Sequence, residues 1–281
     1  RFFDPAAVIL QDVSFLPVDF LDHLHTDKRI IAAQISCPMP DADKVRRLDL
    51  CFTSFPHYVE RLEHMGVKRV VYMPLAFEPD VQRRIPLGIV AESFLDEHGD
   101  WIMGVKPFQR DIDLLFVGGV GKTIHWRQGT ETLEALARAF GPRFYWYGYG
   151  LDWLEPESPL RACYRGPAFG LDMYRLLLRA KVVVNRHGEV AFKSGNNMRQ
   201  YEATGCCAAL LTDYPGVFLP GIECMVYDSP VNAIEKAKRL LADDELRRRI
   251  ALSGNERTLK DHTFAHRMNV VAQELEKAVA S

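Results

Sequence analysis

Residues 181–213 read KVVVNRHGEVAFKSGNNMRQYEATGCCAALLTD. The run opens on a strand-sized apolar stretch, KVVVN (181–185), and closes on another, CCAALLTD (206–213). A loop and a helical stretch near Asn197–Thr204 separate them. Strand, helix and strand in this order predict a βαβ unit, with apolar parallel strands covered on both faces.

The same alternation continues outward. Upstream, AAVIL (6–10), RIIAAQI (29–35), LDLCFTS (48–54) and KRVVYMPL (68–75) read as strands, with helices over Pro17–Thr26 and Pro56–Met65. A proline in the first turn and a glycine just past the end suit the second helix. Nearer the opening stretch come strands IDLLFVGG (112–119) and RFYWYG (143–148), with helices over Thr130–Phe140 and Asp172–Arg179. Downstream, CMVYDS (224–229) precedes helices at Val231–Leu241, Asp244–Ser253 and Thr263–Ala280. Residues 76–110 carry three prolines and three glycines without a clean period, and read as a connection with an inserted excursion.

The expected fold class is therefore α/β, with two doubly wound, Rossmann-like domains facing a cleft. Residues 1–109 form the first with its connector, 110–262 the second, and 263–281 a C-terminal helix that returns to the first. Six strands are expected in the second domain, counting the short CYRG stretch, against four in the first. With Arg1 in place of an initiator Met, the first domain is expected to lack one or two N-terminal βα units.

Composition removes several classes. The 281 residues are 48% hydrophobic and 26% charged, an ordinary globular balance. Lys and Arg number 35 against 37 Asp and Glu. Residues 1–109 hold 12 basic against 16 acidic, and the remainder 23 against 21. Neither part has the basic excess that a sequence-independent grip on nucleic acid needs. Apolar runs are strand-sized, so no transmembrane helix is expected, and RFFDPAAVILQD lacks the pattern of a secretory signal. Six cysteines without a CxxC pair read as buried thiols of a reducing cytoplasm.

Three strings invite chemical readings. VGGVGKT (117–123) resembles a nucleoside-triphosphatase phosphate loop, but Phe116 stands where the first glycine belongs, IHWRQGT intervenes before a helix, and KVVVN ends in Asn185 rather than a magnesium-holding Asp. What remains is a glycine-rich turn after the first strand of the second domain, where a diphosphate can approach the backbone. DID (111–113) precedes its strand, the wrong end for a metal-holding carboxylate pair, and DAD (41–43) reads as a loop. Segment 185–213 is the richest, because carboxyl ends of parallel strands are where open α/β sheets bind ligands. There Lys193 and Arg199 suit phosphate oxygens, Glu202 on the same helix face as Arg199 suits ribose hydroxyls, and Gly195, Asn196 and Asn197 precede a helix N-terminus.

DLLFVGG followed by Arg127, then YWYG, YRG, MYRLLLRAKVVVNRH, GNNMRQYEATGCCAALLTD and HTFAHR occur in this order over residues 111–267. Together they resemble the nucleotide-sugar-binding domain of GT-B group 1 glycosyltransferases, in the CgeB-like (spore maturation protein) branch. LDLCFTSFPHYVERLEHMGVKRVVYMPLAFEP looks like the latter part of that family's N-terminal domain. The resemblance implies a GT-B-like fold and metal-independent transfer of a sugar from a nucleotide diphosphate, UDP or dTDP, to a hydroxyl of a glycan, lipid or protein. It implies that Glu202 binds ribose, that Arg199 and Lys193 neutralise the departing diphosphate, and that Gly118 and Gly119 line its approach. Tyr147 and Gly148 would lie near the base, Asn185 and His187 beside the sugar, and Arg127, Asn196 and Asn197 complete the donor set. Many group 1 enzymes carry a second glutamate eight residues before the equivalent of Glu202; here Ser194 stands there. His187 is a candidate proton shuttle or hydrogen-bonding group, and Asp12 a candidate base on the acceptor side. No resident cofactor and no nucleic-acid partner are expected; cytoplasmic location and peripheral membrane contact are. Two other readings are a non-catalytic sugar-nucleotide-binding or assembly module and a P-loop-like NTPase.

Overall fold

The computed structural model describes residues 4–25, 29–36, 39–85, 94–95, 101–102, 110–121, 127–188, 191 and 194–280. The chain divides into two compact units. The first comprises residues 1–75, 190–196 and 264–281, the second 76–189 and 197–263. These bounds differ from 1–109, 110–262 and 263–281. The second unit begins at Ala76, and a seven-residue excursion from the middle of the sequence belongs to the first.

The first unit runs β1 (Ala7–Leu10), α1 (Val18–Leu24), β2 (Ile30–Gln34), α2 (Ala42–Val45), β3 (Leu50–Thr53), α3 (Pro56–His64) and β4 (Arg69–Tyr72). DAD, read as a loop, opens the one-turn helix α2 instead, with Asp41 at its N-cap position. The four strands are all parallel and lie in the order β1-β2-β3-β4. Such a sheet advances in one direction, and right-handed crossovers then put every connecting helix on one face. That face holds Ile31, Ala33 and Cys51 against Val45 of α2 and Tyr58 and Leu62 of α3. The opposite face presents Ala32, Leu50, Phe52 and Met73, and the C-terminal helix covers it with Val271 and Leu275. The first sheet is thus singly wound by its own crossovers, and its second layer comes from the far end of the chain.

The second unit opens with α4 (Asp80–Arg84) and a short antiparallel pair, β5 (Phe94–Leu95) and β6 (Trp101–Ile102). Then follow β7 (Ile112–Val117), α5 (Arg127–Phe140), β8 (Phe144–Tyr147), α6 (Leu160–Cys163), α7 (Gly170–Arg179), β9 (Ala180–Asn185), α8 (Met198–Gly205), β10 (Ala209–Thr212), β11 (Met225–Val226), α9 (Pro230–Ala242) and α10 (Asp244–Asp261). The C-terminal helix of the first unit, α11, spans Phe264–Ala280. Among the described residues the second sheet has five strands, not six, because Tyr164 of CYRG makes a single bridge to Trp146. All pairings are parallel.

In space the order is β8-β7-β9-β10-β11. The chain lays β8 on one side of β7 and every later strand on the other, the 2-1-3-4-5 pattern with its topological switch between β7 and β9. Alternate residues supply the two faces. Leu114, Phe116, Val182, Val184, Ala209 and Leu211 join Leu133 and Leu136 of α5 and Ala233 and Ala237 of α9 in one core. α7 and α8 pack against one another and against the strands, while α10 sends Leu246, Ile250 and Ala251 into the α5/α9 core and then runs on along α8. Helix α10 runs eight residues past Ser253, the end expected from the sequence. Gly254 marks a close approach instead: a Cβ there would sit 2.6 Å from the Glu223 carbonyl oxygen.

Candidate active site at the switch point

At the carboxyl ends of β7 and β9 the sheet splits, and the turns that follow diverge. The β7 turn knits itself to β8. Gly118 N donates to Tyr147 O at 3.0 Å, Val120 N donates to Tyr149 O at 3.0 Å, and the Trp146 indole donates to Gly118 O at 3.0 Å. Gly148 has φ +152°, and a Cβ on it would lie 2.0 Å from Gly118 O, so only glycine lets the two turns touch. Both backbone groups of Gly118 are therefore used. The Gly119 N–H donates to none of the described residues.

The β9 turn begins with Asn185, Arg186 and His187, all buried. Arg186 crosses the switch point and donates from Nη2 to Gly119 O at 2.6 Å; burial pulls its pKa down to about 10. Asn185 donates to Thr212 Oγ1 at 3.0 Å and accepts from Asn197 Nδ2 at 2.9 Å. Asn197 caps α8, its side chain accepting from Gln200 N at 3.2 Å. His187 is held on two sides by Asp213, which accepts from His187 N at 2.9 Å and lies 2.6 Å from Nδ1.

Helix α8 sets the charged pair. Arg199 donates from Nε to Val117 O at 3.1 Å and from Nη1 to Glu202 Oε2 at 2.6 Å. Its Nη2 has no partner among the described residues. The other oxygen of Glu202 accepts from the Tyr174 hydroxyl at 3.1 Å. Burial and then the adjacent Glu202 carboxylate push the Tyr174 pKa well above its ordinary value. Chemically, a guanidinium nitrogen and a backbone amide can each donate to an anion, and a carboxylate can accept hydroxyl hydrogens.

A model of a family described as glycosyl transferase-like matches residues 127–273, more than half of the chain. The chain belongs to this family. No curated protein matches it in sequence. Among solved structures, a glycosyltransferase from Rickettsia africae shares 9% identity at TM-score 0.62, over 97% of this chain and 76% of that one. HepE from Anabaena, in complex with UDP and glucose, shares 11% identity at TM-score 0.59, over 89% of this chain and 72% of that one. The pneumococcal O-GlcNAc transferase GtfA, in complex with UDP and GlcNAc, shares 11% identity at TM-score 0.55, over 90% and 53%. At these identities the likeness is one of fold, two parallel α/β units of the GT-B type.

In this glycosyl transferase-like chain, His187, Arg199, Glu202, Gly119 and Asn185 come together at one end of the second sheet, with Tyr147 and Gly148 on the adjoining β8 turn. Other members of the predicted set fall elsewhere. Asn196 belongs to the first unit, where its amide donates to Ser54 O and its oxygen accepts from Leu75 N, so it ties β3 to the end of that unit. Asn185 and Asn197 hydrogen-bond each other, and their side chains also reach Thr212, Arg186 O and the α8 cap. Gly118 offers no amide. Asp12 is exposed in the first unit and accepts from Ser14 N at 2.7 Å. Lys193, together with the Lys122 of the triphosphatase reading, lies outside the described residues, as does the side chain of Arg127. The DID carboxylates form ion pairs, Asp111 with Arg179 and Asp113 with Arg143 and Lys181.

Arg186, Tyr174 and Asp213 went unnoticed in the sequence reading. Asp213 was within reach of it, because β10 pairs with β9 in a register that sets Thr212 opposite Asn185. The residue after each strand end then falls at the same edge as the other.

Proposed function

We propose that the second unit binds a nucleotide-diphosphate sugar at the switch point, and that the chain transfers the sugar to a hydroxyl acceptor. In this reading the bond from the anomeric carbon to the diphosphate oxygen breaks as a bond to the acceptor oxygen forms, and the acceptor proton passes to the departing diphosphate or to water. Negative charge then grows on the leaving diphosphate. Arg199 Nη2 and the Gly119 amide meet that charge, as preorganised donors do in a dry site. Glu202 accepts from the ribose hydroxyls. The observation that carries the reading is the Arg199–Glu202 pair on α8, anchored to Val117 O at the switch point of a family-typical sheet.

UDP or dTDP is the expected carrier, in line with the UDP complexes of HepE and GtfA. The CgeB-like branch belongs to this proposal on the strength of the GNNMRQYEATG string (195–205). So do a metal-independent reaction, a cytoplasmic location and peripheral membrane contact; no described helix is long and apolar enough to cross a membrane. Incubation with a panel of UDP-, dTDP-, GDP- and ADP-sugars, with release of free diphosphate as readout, tests the reading. Release from one sugar nucleotide supports it. Tight binding of a sugar nucleotide without release under any acceptor supports a binding module instead. Ser194 favours that second reading, because the hydroxyl standing where many relatives have a carboxylate is spent on Ala191 O in the first unit.

A further inference from the structure

His187 is buried, and its side-chain environment is unequal on the two ring nitrogens. Nδ1 lies 2.6 Å from Asp213 Oδ1, while Nε2 is buried without any hydrogen-bond partner among the described residues. Asp213 is itself held in place. Oδ2 accepts from His187 N at 2.9 Å, and Oδ1 also accepts from Tyr214 N at 3.0 Å. With a backbone N–H donating to each of its oxygens, the Asp213 carboxylate faces the imidazole as an acceptor. The hydrogen between the two side chains therefore sits on Nδ1. A neutral imidazole with Nδ1–H has a bare lone pair on Nε2.

A buried acceptor without a donor is unfavourable, and a bound donor group would remove that cost. The Tyr214 ring packs 5.8 Å from the imidazole, and Asp213 holds its other side, so rotation of the ring is restrained. Meanwhile the position eight before Glu202 is Ser194, whose hydroxyl is occupied in the first unit. Among the described residues, the end of β9 holds a fixed imidazole acceptor.

We propose that Asp213 is a positioning residue that locks His187 in the Nδ1–H form, so that Nε2 accepts a hydrogen bond from a hydroxyl of the transferred sugar. The dyad selects for the sugar half of the donor and is indifferent to the nucleotide half. This rests on the sugar-nucleotide reading above.

The test measures affinity for UDP, UDP-glucose and UDP-N-acetylglucosamine in the wild type, His187→Ala, Asp213→Ala and the double variant. Expected is a roughly tenfold loss for the preferred sugar nucleotide in each single variant, the worth of one buried hydrogen bond. UDP affinity stays unchanged, and the double variant is no worse than His187→Ala. Long-range ¹H–¹⁵N spectra should show one Nδ1–H tautomer for His187 in the wild type and mixed tautomers in Asp213→Ala. Equal losses for UDP and the sugar nucleotides, additive losses in the double variant, or unchanged tautomers in Asp213→Ala overturn the dyad while leaving the function intact. A wild type that binds neither UDP nor either sugar nucleotide overturns the function, and the dyad with it.

Discussion

At the scale of single residues, the site depends on one guanidinium doing two jobs. Arg199 braces the β7 end through Val117 O and pairs with Glu202, and in the proposed reading its Nη2 meets the leaving diphosphate. Arg199→Ala should lower kcat/KM for the sugar nucleotide by at least about a hundredfold, the usual cost of removing one donor to a developing negative charge. Glu202→Gln keeps the shape but weakens acceptance from ribose. It should raise KM about tenfold with a smaller change in kcat, as a group bound equally in ground and transition states does. Steady-state kinetics on the released diphosphate checks both. An Arg199→Ala protein with wild-type kinetics and an unchanged melting temperature would remove Arg199 from the site. The types of Arg199 and Glu202 and their spacing of three were legible in the sequence. Their pairing with each other in place of a ligand was not, because nothing in the spacing says which of two complementary charges is engaged before substrate arrives.

At the scale of elements, the second unit uses one partly buried cation to finish two helices. Arg110 donates to Leu178 O at 2.9 Å and Ala180 O at 2.6 Å at the end of α7, and to Cys206 O at 2.9 Å and Cys207 O at 2.6 Å at the end of α8. A last helical turn leaves carbonyls without partners, and one guanidinium here serves two helices. Arg110→Met should cost about 3 kcal/mol, since several buried carbonyls lose their donor at once. Chemical denaturation reads it out, and a variant as stable as the wild type would show that water reaches both helix ends. Helix α8 also ends with Cys207 at φ +55°, a conformation that glycine ordinarily supplies, with Ala208 N bonded to Ala203 O at 3.0 Å. At the start of β7, burial raises the Asp113 pKa, but Lys181 and Arg143 outweigh it and the net shift is downward. Stability from such a carboxylate is complete above the unfolded pKa and lost as pH falls through the lowered folded value. Asp113→Asn should therefore cost roughly 1 kcal/mol at pH 7, and the gap in melting temperature should close in acid below the ordinary aspartate range. A gap that is flat with pH would mean the ion pairs contribute nothing.

At the scale of the whole molecule, the first unit needs the C-terminus. Its four-strand sheet advances one way, so the face bearing Leu50 and Phe52 has no crossover helix of its own among the described residues. α11 covers it, fixed by Arg267, which donates to Pro74 O at 2.6 Å and Leu75 O at 3.1 Å, and by an ion pair between Arg69 and Glu274 at 3.0 Å. Each large apolar side chain uncovered forfeits about 1.5–3 kcal/mol. A chain ending at Thr263 should bind an apolar dye strongly and lose the cooperative unfolding of the first unit. Val271→Asp in the full chain should lower stability by about 3 kcal/mol, for burying a charge on the same face. Retention of cooperative unfolding in the truncated chain would show that another segment covers the sheet.

The alternation of strands and helices, the parallel sheets and the choice of residues 185–213 as the candidate site were all readable from the sequence alone. These follow from local apolar patterning, turn residues and side-chain type, which are properties of short windows. Only the tertiary structure decided the strand order that creates the switch point, the pairing of His187 with Asp213, and the crossing of residues 190–196 and 264–281 into the first unit. It also decided which polar groups were already spent, as with Asn185, Asn196, Asn197 and the amide of Gly118. Those outcomes depend on which distant segments share a layer, and on buried polar groups finding partners wherever the fold brings them. No window of sequence contains that information, because the partners lie tens to hundreds of residues apart.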